Sequence, residues 1–115
     1  MLNQVLESDG SVRFAVIVDN IGRLIVHGYK KGIALILSKK EVERSIVQAI
    51  LKMSTDQSME EMLGKVEYSV TVYKKVKRIT TPIKRHDLLL LISAERKSEH
   101  EKIIQNVPPL IKAMR

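Results

Sequence analysis

Residues 12–29 have the sequence VRFAVIVDNIGRLIVHGY, and this stretch decides the fold of the 115-residue chain. Successive side chains of a strand point to opposite faces, and residues 12–18 are nearly apolar on both faces, which is typical of a central strand. Asp19, Asn20, Ile21 and Gly22 suit a short hairpin loop, because glycine adopts a positive φ without strain. Residues 24–29 then form a second strand. This early hairpin favours an α+β fold.

Apolar spacing and capping residues predict two helices around this hairpin. Leu2, Val5 and Leu6 give a short first helix an apolar edge at i, i+3 and i+4. Ser38 and Glu41 form a capping box that opens a long second helix. The stripe of this helix that we expect to face the core comprises Val42, Ile46, Ala49, Ile50 and Met53.

Three strands and a last helix are predicted in the second half of the chain. Residues 65–76 alternate between apolar and polar, residues 77–83 form a more polar strand with Pro82 at an end or an edge, and residues 88–94 are apolar on both faces. Ser98 and Glu101 form a second capping box, and Pro108 with Pro109 is expected to interrupt the helix that follows. The predicted core comprises Phe14, Val16, Ile46, Ile50, Leu89 and Leu91.

Composition narrows the class of protein. With 44% hydrophobic and 29% charged residues, the chain is expected to fold as one domain over residues 1–115. The absence of cysteine excludes disulfides and thiolate chemistry and favours a reducing compartment. The longest apolar runs, residues 33–37 and 88–92, are far shorter than the ~20 residues of a membrane span. We therefore expect a cytoplasmic protein that makes no membrane contact.

No catalytic or ligand-binding motif stands out. His27, His86 and His100 lack the close spacing that is typical of a metal site, and no nucleophile is visibly paired with His86 and Asp87. The sequence therefore predicts no enzyme activity, no metal and no cofactor.

The order helix, strand, strand, helix, strand, strand, strand, helix resembles the profilin-like sandwiches. Their antiparallel sheet runs 2-1-5-4-3, which puts in the middle the two strands that this sequence makes apolar on both faces. The chain is most similar to the roadblock (dynein light chain) branch, where an Asp-x-x-Gly turn like Asp19 to Gly22 follows the first strand. Residues 66–83 also resemble small uncharacterised archaeal proteins. The resemblance implies a homodimeric or heterodimeric platform that holds small GTPases or assembles larger complexes.

A homodimer is expected because the third strand is an edge in that sheet order. The centre of this strand carries neither charge nor proline, and a free edge of that kind pairs readily with another strand. Roadblock-like proteins pair it with its own copy across a two-fold axis, and the exposed flank of the long helix joins the contact. The resemblance thus implies an interface that contains Lys65, Glu67, Tyr68, Ser69, Val70, Thr71, Val72 and Tyr73.

A basic stretch follows this strand and adds to a net charge of +7. Its cations are Lys74, Lys75, Lys77, Arg78, Lys84 and Arg85. We interpret it first as a solvated face that discourages edge pairing. The alternatives are an acidic partner or a phosphate backbone, although sheets that bind nucleic acid usually carry stacking aromatics and only Tyr68 and Tyr73 lie nearby.

The sequence thus favours a non-enzymatic dimeric interaction module for a regulatory or scaffolding complex, with a small GTPase or another acidic protein as its partner. Two alternatives stay open: a basic nucleic-acid-binding domain, and a PAS-like sensor of small molecules. Salt-dependent binding to DNA or RNA would favour the first alternative. A closed apolar cavity between the sheet and the long helix would favour the second.

Overall fold

The computed structural model describes residues 2–7, 9–19, 21–29, 38–83 and 87–113. The predicted order of elements is confirmed, with one short extra helix after the long one. The elements are α1 (Leu2–Glu7), β1 (Val12–Asp19), β2 (Leu24–Tyr29), α2 (Lys39–Gln57), α3 (Glu60–Leu63), β3 (Ser69–Val72), β4 (Val76–Ile83), β5 (Leu88–Glu95) and α4 (His100–Ala113).

The five strands form one antiparallel sheet in the predicted order β2-β1-β5-β4-β3. β1 and β5 lie in the middle and pair along most of their length, from Val12 opposite Ala94 to Asp19 opposite Leu88. Their side chains are buried on both faces of the sheet. This burial explains why both strands are apolar at nearly every position.

Two apolar clusters lie on opposite faces of the sheet. On one face the α2 side chains Ile46 and Met53 pack with strand residues, and this cluster comprises Val16, Val18, Ile46, Met53, Leu89 and Leu91, with Phe14 and Ile50 partly buried against it. The predicted core is therefore confirmed. On the other face α1 and α4 cover the sheet, where Val5, Ile17, Leu90, Ile92 and Ile103 are among the fully buried side chains.

Asp19 holds the β1–β2 turn together. Its carboxylate accepts hydrogen bonds from the backbone N–H groups of Ile21 (3.1 Å) and Arg23 (2.8 Å) and from Arg23 Nε (2.7 Å). Burial alone would raise the pKa of Asp19, but these bonds outweigh it and lower that pKa below its ordinary value. Gly22 has a φ of 89°, as predicted, and a Cβ there would come within 3.3 Å of Ile50 Cδ1.

The Ser38–Glu41 capping box is present at the start of α2. Glu41 N donates to Ser38 Oγ (3.2 Å), and Ser38 N donates to Glu41 Oε1 (2.9 Å). α2 extends further than the apolar stripe predicted, because an ion pair between Lys52 and Asp56 (3.0 Å) supports its polar last turns. Gly64, with a φ of 91°, ends the helical region after α3.

The predicted third strand, residues 65–76, is wrong in its length, because β3 contains only Ser69–Val72. The register of β3 with β4 would place Glu67 opposite Pro82, which has no N–H to donate to the Glu67 carbonyl. The Thr81 hydroxyl donates to that carbonyl instead (2.9 Å). Pro82 therefore ends the ladder between β3 and β4 although it lies inside β4. At the other end Val76 belongs to β4, since the chain turns at Lys74 and Lys75.

Two expectations for the last helix are also wrong. Ser98 Oγ is buried with no hydrogen-bond partner in the described part of the chain, because the Ser98 backbone is held in the turn after β5, where its N–H donates to the Glu95 carbonyl (2.9 Å). Glu99 instead accepts the first helical bonds of α4 with its carbonyl. α4 also continues through Pro108 and Pro109. Proline costs about 3 kcal/mol inside a helix, a penalty that the buried residues of α4 help to offset.

Several predicted features lie outside the described residues. They are Asn20 of the hairpin loop, the apolar run of residues 33–37, His86, and the last two cations of the basic stretch, Lys84 and Arg85.

Leu89→Ala and Leu91→Ala should each lower the free energy of unfolding by roughly 2–5 kcal/mol, because both side chains face α2 in a packed cluster. Urea unfolding followed by circular dichroism measures this loss. Lys97→Ala, in the exposed turn before α4, is the matched control and should leave stability unchanged within about 0.5 kcal/mol. If both leucine variants unfold like the unmodified chain, the assignment of β5 is wrong.

Candidate interaction surface at the β3 edge

Among the described residues, one row of backbone groups of β3 has no strand partner. Tyr73 N donates to the Val76 carbonyl (2.8 Å), and β3 pairs with β4 from Ser69 opposite Thr80 to Val72 opposite Lys77. The Tyr73–Val76 bond marks a hydrogen-bonded pair. Hydrogen-bonded and non-hydrogen-bonded pairs alternate along an antiparallel ladder, so Ser69 and Thr71 also point their N–H and C=O groups at β4. The same groups of Val70 and Val72 therefore point away from the sheet, towards the free edge.

α2 and α3 carry exposed apolar side chains, and α3 lies next to the residues that lead into β3, because the Glu60 carboxylate accepts from Val66 N (2.7 Å). Val47 is 54% exposed and Leu51 is 63% exposed on the side of α2 that does not face the sheet. In α3, Met62 and Leu63 are 76% and 78% exposed. Large apolar side chains that cluster on a surface commonly mark an interaction site. We expected the flank of the long helix to contribute but did not predict these residues, although Val47 and Leu51 have the i, i+4 spacing of an exposed helical stripe.

The structure divides the predicted interface residues into three groups. Ser69, Val70, Thr71 and Val72 form the edge strand, with Thr71 and Val72 exposed. Tyr73 is exposed at the start of the turn to β4. Lys65, Glu67 and Tyr68 precede the strand, where Lys65 and Glu67 are exposed and Tyr68 is half-buried.

The basic stretch does not form a single face. Lys77 contacts the start of α4, where its Nζ donates to the Ser98 carbonyl (2.6 Å) and lies 3.3 Å from His100 Nδ1. Arg78 points to the opposite face of the sheet, where its guanidinium donates to Ser45 Oγ of α2 (3.0 Å). Lys74 and Lys75 are exposed at the tip of the β3–β4 hairpin.

Arg78 is half-buried between α2 and the sheet. Burial lowers the pKa of its guanidinium, and the nearby Tyr73 partly opposes that effect. An arginine nevertheless stays charged at any physiological pH. The Ser45 hydroxyl that accepts from Arg78 donates in turn to the Val42 carbonyl (2.7 Å), so Arg78 ties β4 to α2.

Acidic residues lie at the opposite end of β3 from the hairpin tip. Glu60 is engaged within the chain, because its carboxylate accepts from Val66 N (2.7 Å) and lies 3.7 Å from Lys65 Nζ. Glu61 and Glu67 are exposed nearby. Glu67 was predicted to lie in the interface strand, but the short β3 leaves it just before the strand, and Glu61 lies in α3.

A cleft of about 690 Å³ lies between the second half of α2 and the sheet. Met53 and Leu89 give it apolar surface, whereas Gln57, Glu60 and Asp87 contribute polar groups. A ligand pocket of a PAS-like sensor would be enclosed and mostly apolar. This cleft is only partly enclosed and has a mixed lining, so it does not meet that expectation.

Within the described residues, no three side chains of histidine, cysteine, aspartate or glutamate come together in a group that could hold a metal ion. No helix in that part of the chain is long and apolar enough to cross a membrane.

No family model matches the sequence, and no curated protein matches it either. Solved structures do match. The Roadblock/LC7 domain from Streptomyces avermitilis is 14% identical, with a TM-score of 0.78 over 98% of this chain and 90% of that one. The gliding protein MglB from Thermus thermophilus is also 14% identical, with a TM-score of 0.79 over 98% of this chain and 82% of that one.

A structure of MglB with a tetrameric arrangement is 15% identical, with a TM-score of 0.80 over 98% of this chain and 81% of that one. At such low identity these likenesses concern the backbone and leave function open. They agree with the strand order and the helix placement described above, and the resemblance expected from the sequence is confirmed. The chain has the roadblock fold.

Proposed function

We propose that this chain is a non-enzymatic, dimeric interaction module that regulates a small GTPase. The observation that carries the proposal is the free edge of β3, where the backbone groups of Val70 and Val72 face outward. Exposed apolar side chains on α2 and α3 add to it. Unpaired edge groups and exposed apolar side chains are both stabilised when another chain covers them.

A second copy of the same chain is the partner that suits this edge best. An isologous contact across a two-fold axis is the commonest symmetry of oligomers. Pairing β3 with its own copy would extend the sheet, and the roadblock resemblance implies that the flanks of the two α2 helices then meet. Val47 and Leu51 are already about half covered, so burying the rest of such a side chain contributes about 1 kcal/mol, and the two-fold axis doubles each contribution. The predicted interface residues, from Lys65 to Tyr73, thus retain their proposed role.

The regulatory part of the proposal rests on the roadblock resemblance, which implies a platform that holds small GTPases. The related folds include MglB, a gliding protein. We place the chain in the cytoplasm, and we propose that its positive charge favours an acidic partner. Binding to nucleic acid is less favoured, because Lys77 and Arg78 point to opposite faces and Tyr68 is half-buried.

Light scattering should give the mass of a dimer for the unmodified chain at high micromolar concentration. Val72→Pro should give a monomer, because it removes an outward N–H from the edge without breaking a bond to β4. Val72→Ala trims the side chain but keeps the N–H, so this matched control should remain largely dimeric. A monomeric mass for the unmodified chain would contradict the proposed dimer.

Capture from native lysate tests the regulatory role. The immobilised chain should retain a small GTPase that mass spectrometry identifies, and the retained amount should change when the lysate is loaded with a non-hydrolysable GTP analogue in place of GDP. Leu89→Ala is the control for binding to partly unfolded protein, because this change weakens the packing of the sheet against α2 and leaves the exposed surface unaltered. Recovery of nucleic acid without any GTPase would favour the basic nucleic-acid-binding alternative instead.

A further inference from the structure

The two ends of β3 carry opposite charges. Glu61 and Glu67 are exposed before the strand, and Lys74 and Lys75 are exposed after it. β3 itself spans roughly 13 Å at 3.3 Å per residue. The two charged groups are therefore held apart within a single chain, because an extended strand separates them.

None of these four side chains takes part in the ion pairs that join described residues. Those pairs engage Glu60 with Lys65, Asp19 with Arg23, Lys52 with Asp56 and Glu99 with Lys102. The hairpin tip thus offers two cations, and the segment before β3 offers two carboxylates, for contacts with another molecule.

Self-pairing of β3 would bring these opposite charges together. In an antiparallel pair related by a two-fold axis, the residues before the strand in one copy lie beside the residues after the strand in the other. The outward-facing groups of Val70 and Val72 allow an axis at Val70, Thr71 or Val72, but only an axis at Thr71 pairs both of these residues with residues of β3. That axis places Val70 opposite Val72 and brings the hairpin tip towards the segment before β3 in the other copy.

Pairing within β3 therefore selects the axis at Thr71. Lys74 and Lys75 lie in the turn to β4, so they are not themselves in register with a residue of the other copy. This axis brings them to the end of the other copy's β3 at which Glu67 and, in α3, Glu61 are exposed.

We infer that the hairpin tip at Lys74 and Lys75 clasps the acidic segment at Glu61 and Glu67 of a second copy, and that this clasp stabilises the dimer in this register. The inference rests on the proposed homodimer. By symmetry the clasp forms twice. It gives these two lysines a partner of defined chemistry, since a carboxylate accepts the hydrogen bonds that an ammonium group donates.

The clasp explains how a chain with a charge of +7 can associate with itself. Two such copies repel each other at long range, but salt screens that repulsion over about 8–10 Å. At the interface, the local contacts are between opposite signs. Without the acidic segment before β3, only positive charges would meet at each end of the paired strands.

Charge reversal tests the clasp. The variant K74E/K75E should dissociate at least about tenfold more readily than the unmodified dimer, since two attractive contacts per clasp become repulsive. Each change from lysine to glutamate lowers the net charge by two, so this variant carries +3 and its copies repel less at long range. The lower net charge alone would strengthen dimerisation. Weaker dimerisation of K74E/K75E therefore supports the clasp, whereas tighter dimerisation would overturn it.

The variant E61K/E67K should likewise form a weak homodimer. An equimolar mixture of the two variants should form the heterodimer preferentially, because both of its clasps again join opposite charges. The chain that carries all four substitutions should dimerise like the unmodified one, and its net charge returns to +7. Lysine and glutamate have nearly equal masses, so one variant is labelled uniformly with nitrogen-15. Native mass spectrometry then separates the three dimers by mass, and circular dichroism checks that every variant keeps the fold.

The possible results distinguish failure of the clasp from failure of the dimer. If the unmodified chain dimerises and both charge variants dimerise equally well, the clasp is wrong and the proposed function stands. If the unmodified chain is a monomer, the proposed dimer fails and the clasp fails with it.

Discussion

Helices cover both faces of the sheet, and this cover determines where the molecule can make contacts. β1 and β5 are buried on both sides, with α2 on one face and α1 and α4 on the other. A sheet packed in this way keeps only its two edge strands for pairing with another chain. At the β2 edge, Leu24, Ile25 and Tyr29 are exposed, with the Tyr29 ring stacked on Phe14 (5.0 Å between ring centroids). At the β3 edge, α3 with its exposed Met62 and Leu63 is tied to the residues that lead into the strand by the Glu60–Val66 hydrogen bond (2.7 Å), which is why we propose the interface there.

Pro82 and the hairpin tip limit the β3 edge to a short strand. The missing N–H of Pro82 ends the ladder before Glu67, and the chain turns after Tyr73. A four-residue strand offers few hydrogen bonds to a partner. Contacts beyond the strand are therefore needed for a stable dimer, and the α2 stripe and the charged residues on either side of β3 are in place to provide them.

Much of the fold could be predicted because its signals are local. The apolar pattern of residues 12–18 and 88–94 identified the central strands, and the Ser38–Glu41 capping box located the start of α2. The predictions failed where tertiary contacts determine the local structure. Ser98 matches a capping box in sequence but is held in the turn after β5, and only the register of β3 with β4 places Pro82 opposite Glu67. The basic stretch looks continuous in sequence, yet strand alternation sends Lys77 and Arg78 to opposite faces.

Amide hydrogen exchange tests most directly whether β3 pairs with its own copy. The Thr71 amide faces β4 inside one chain, whereas the Val70 and Val72 amides face the free edge. Raising the protein concentration through the range of dimerisation should slow exchange at Val70 and Val72 and leave Thr71 nearly unchanged. Rapid exchange at Val70 and Val72 in a sample that light scattering shows to be dimeric would contradict pairing at β3 and would place the interface elsewhere.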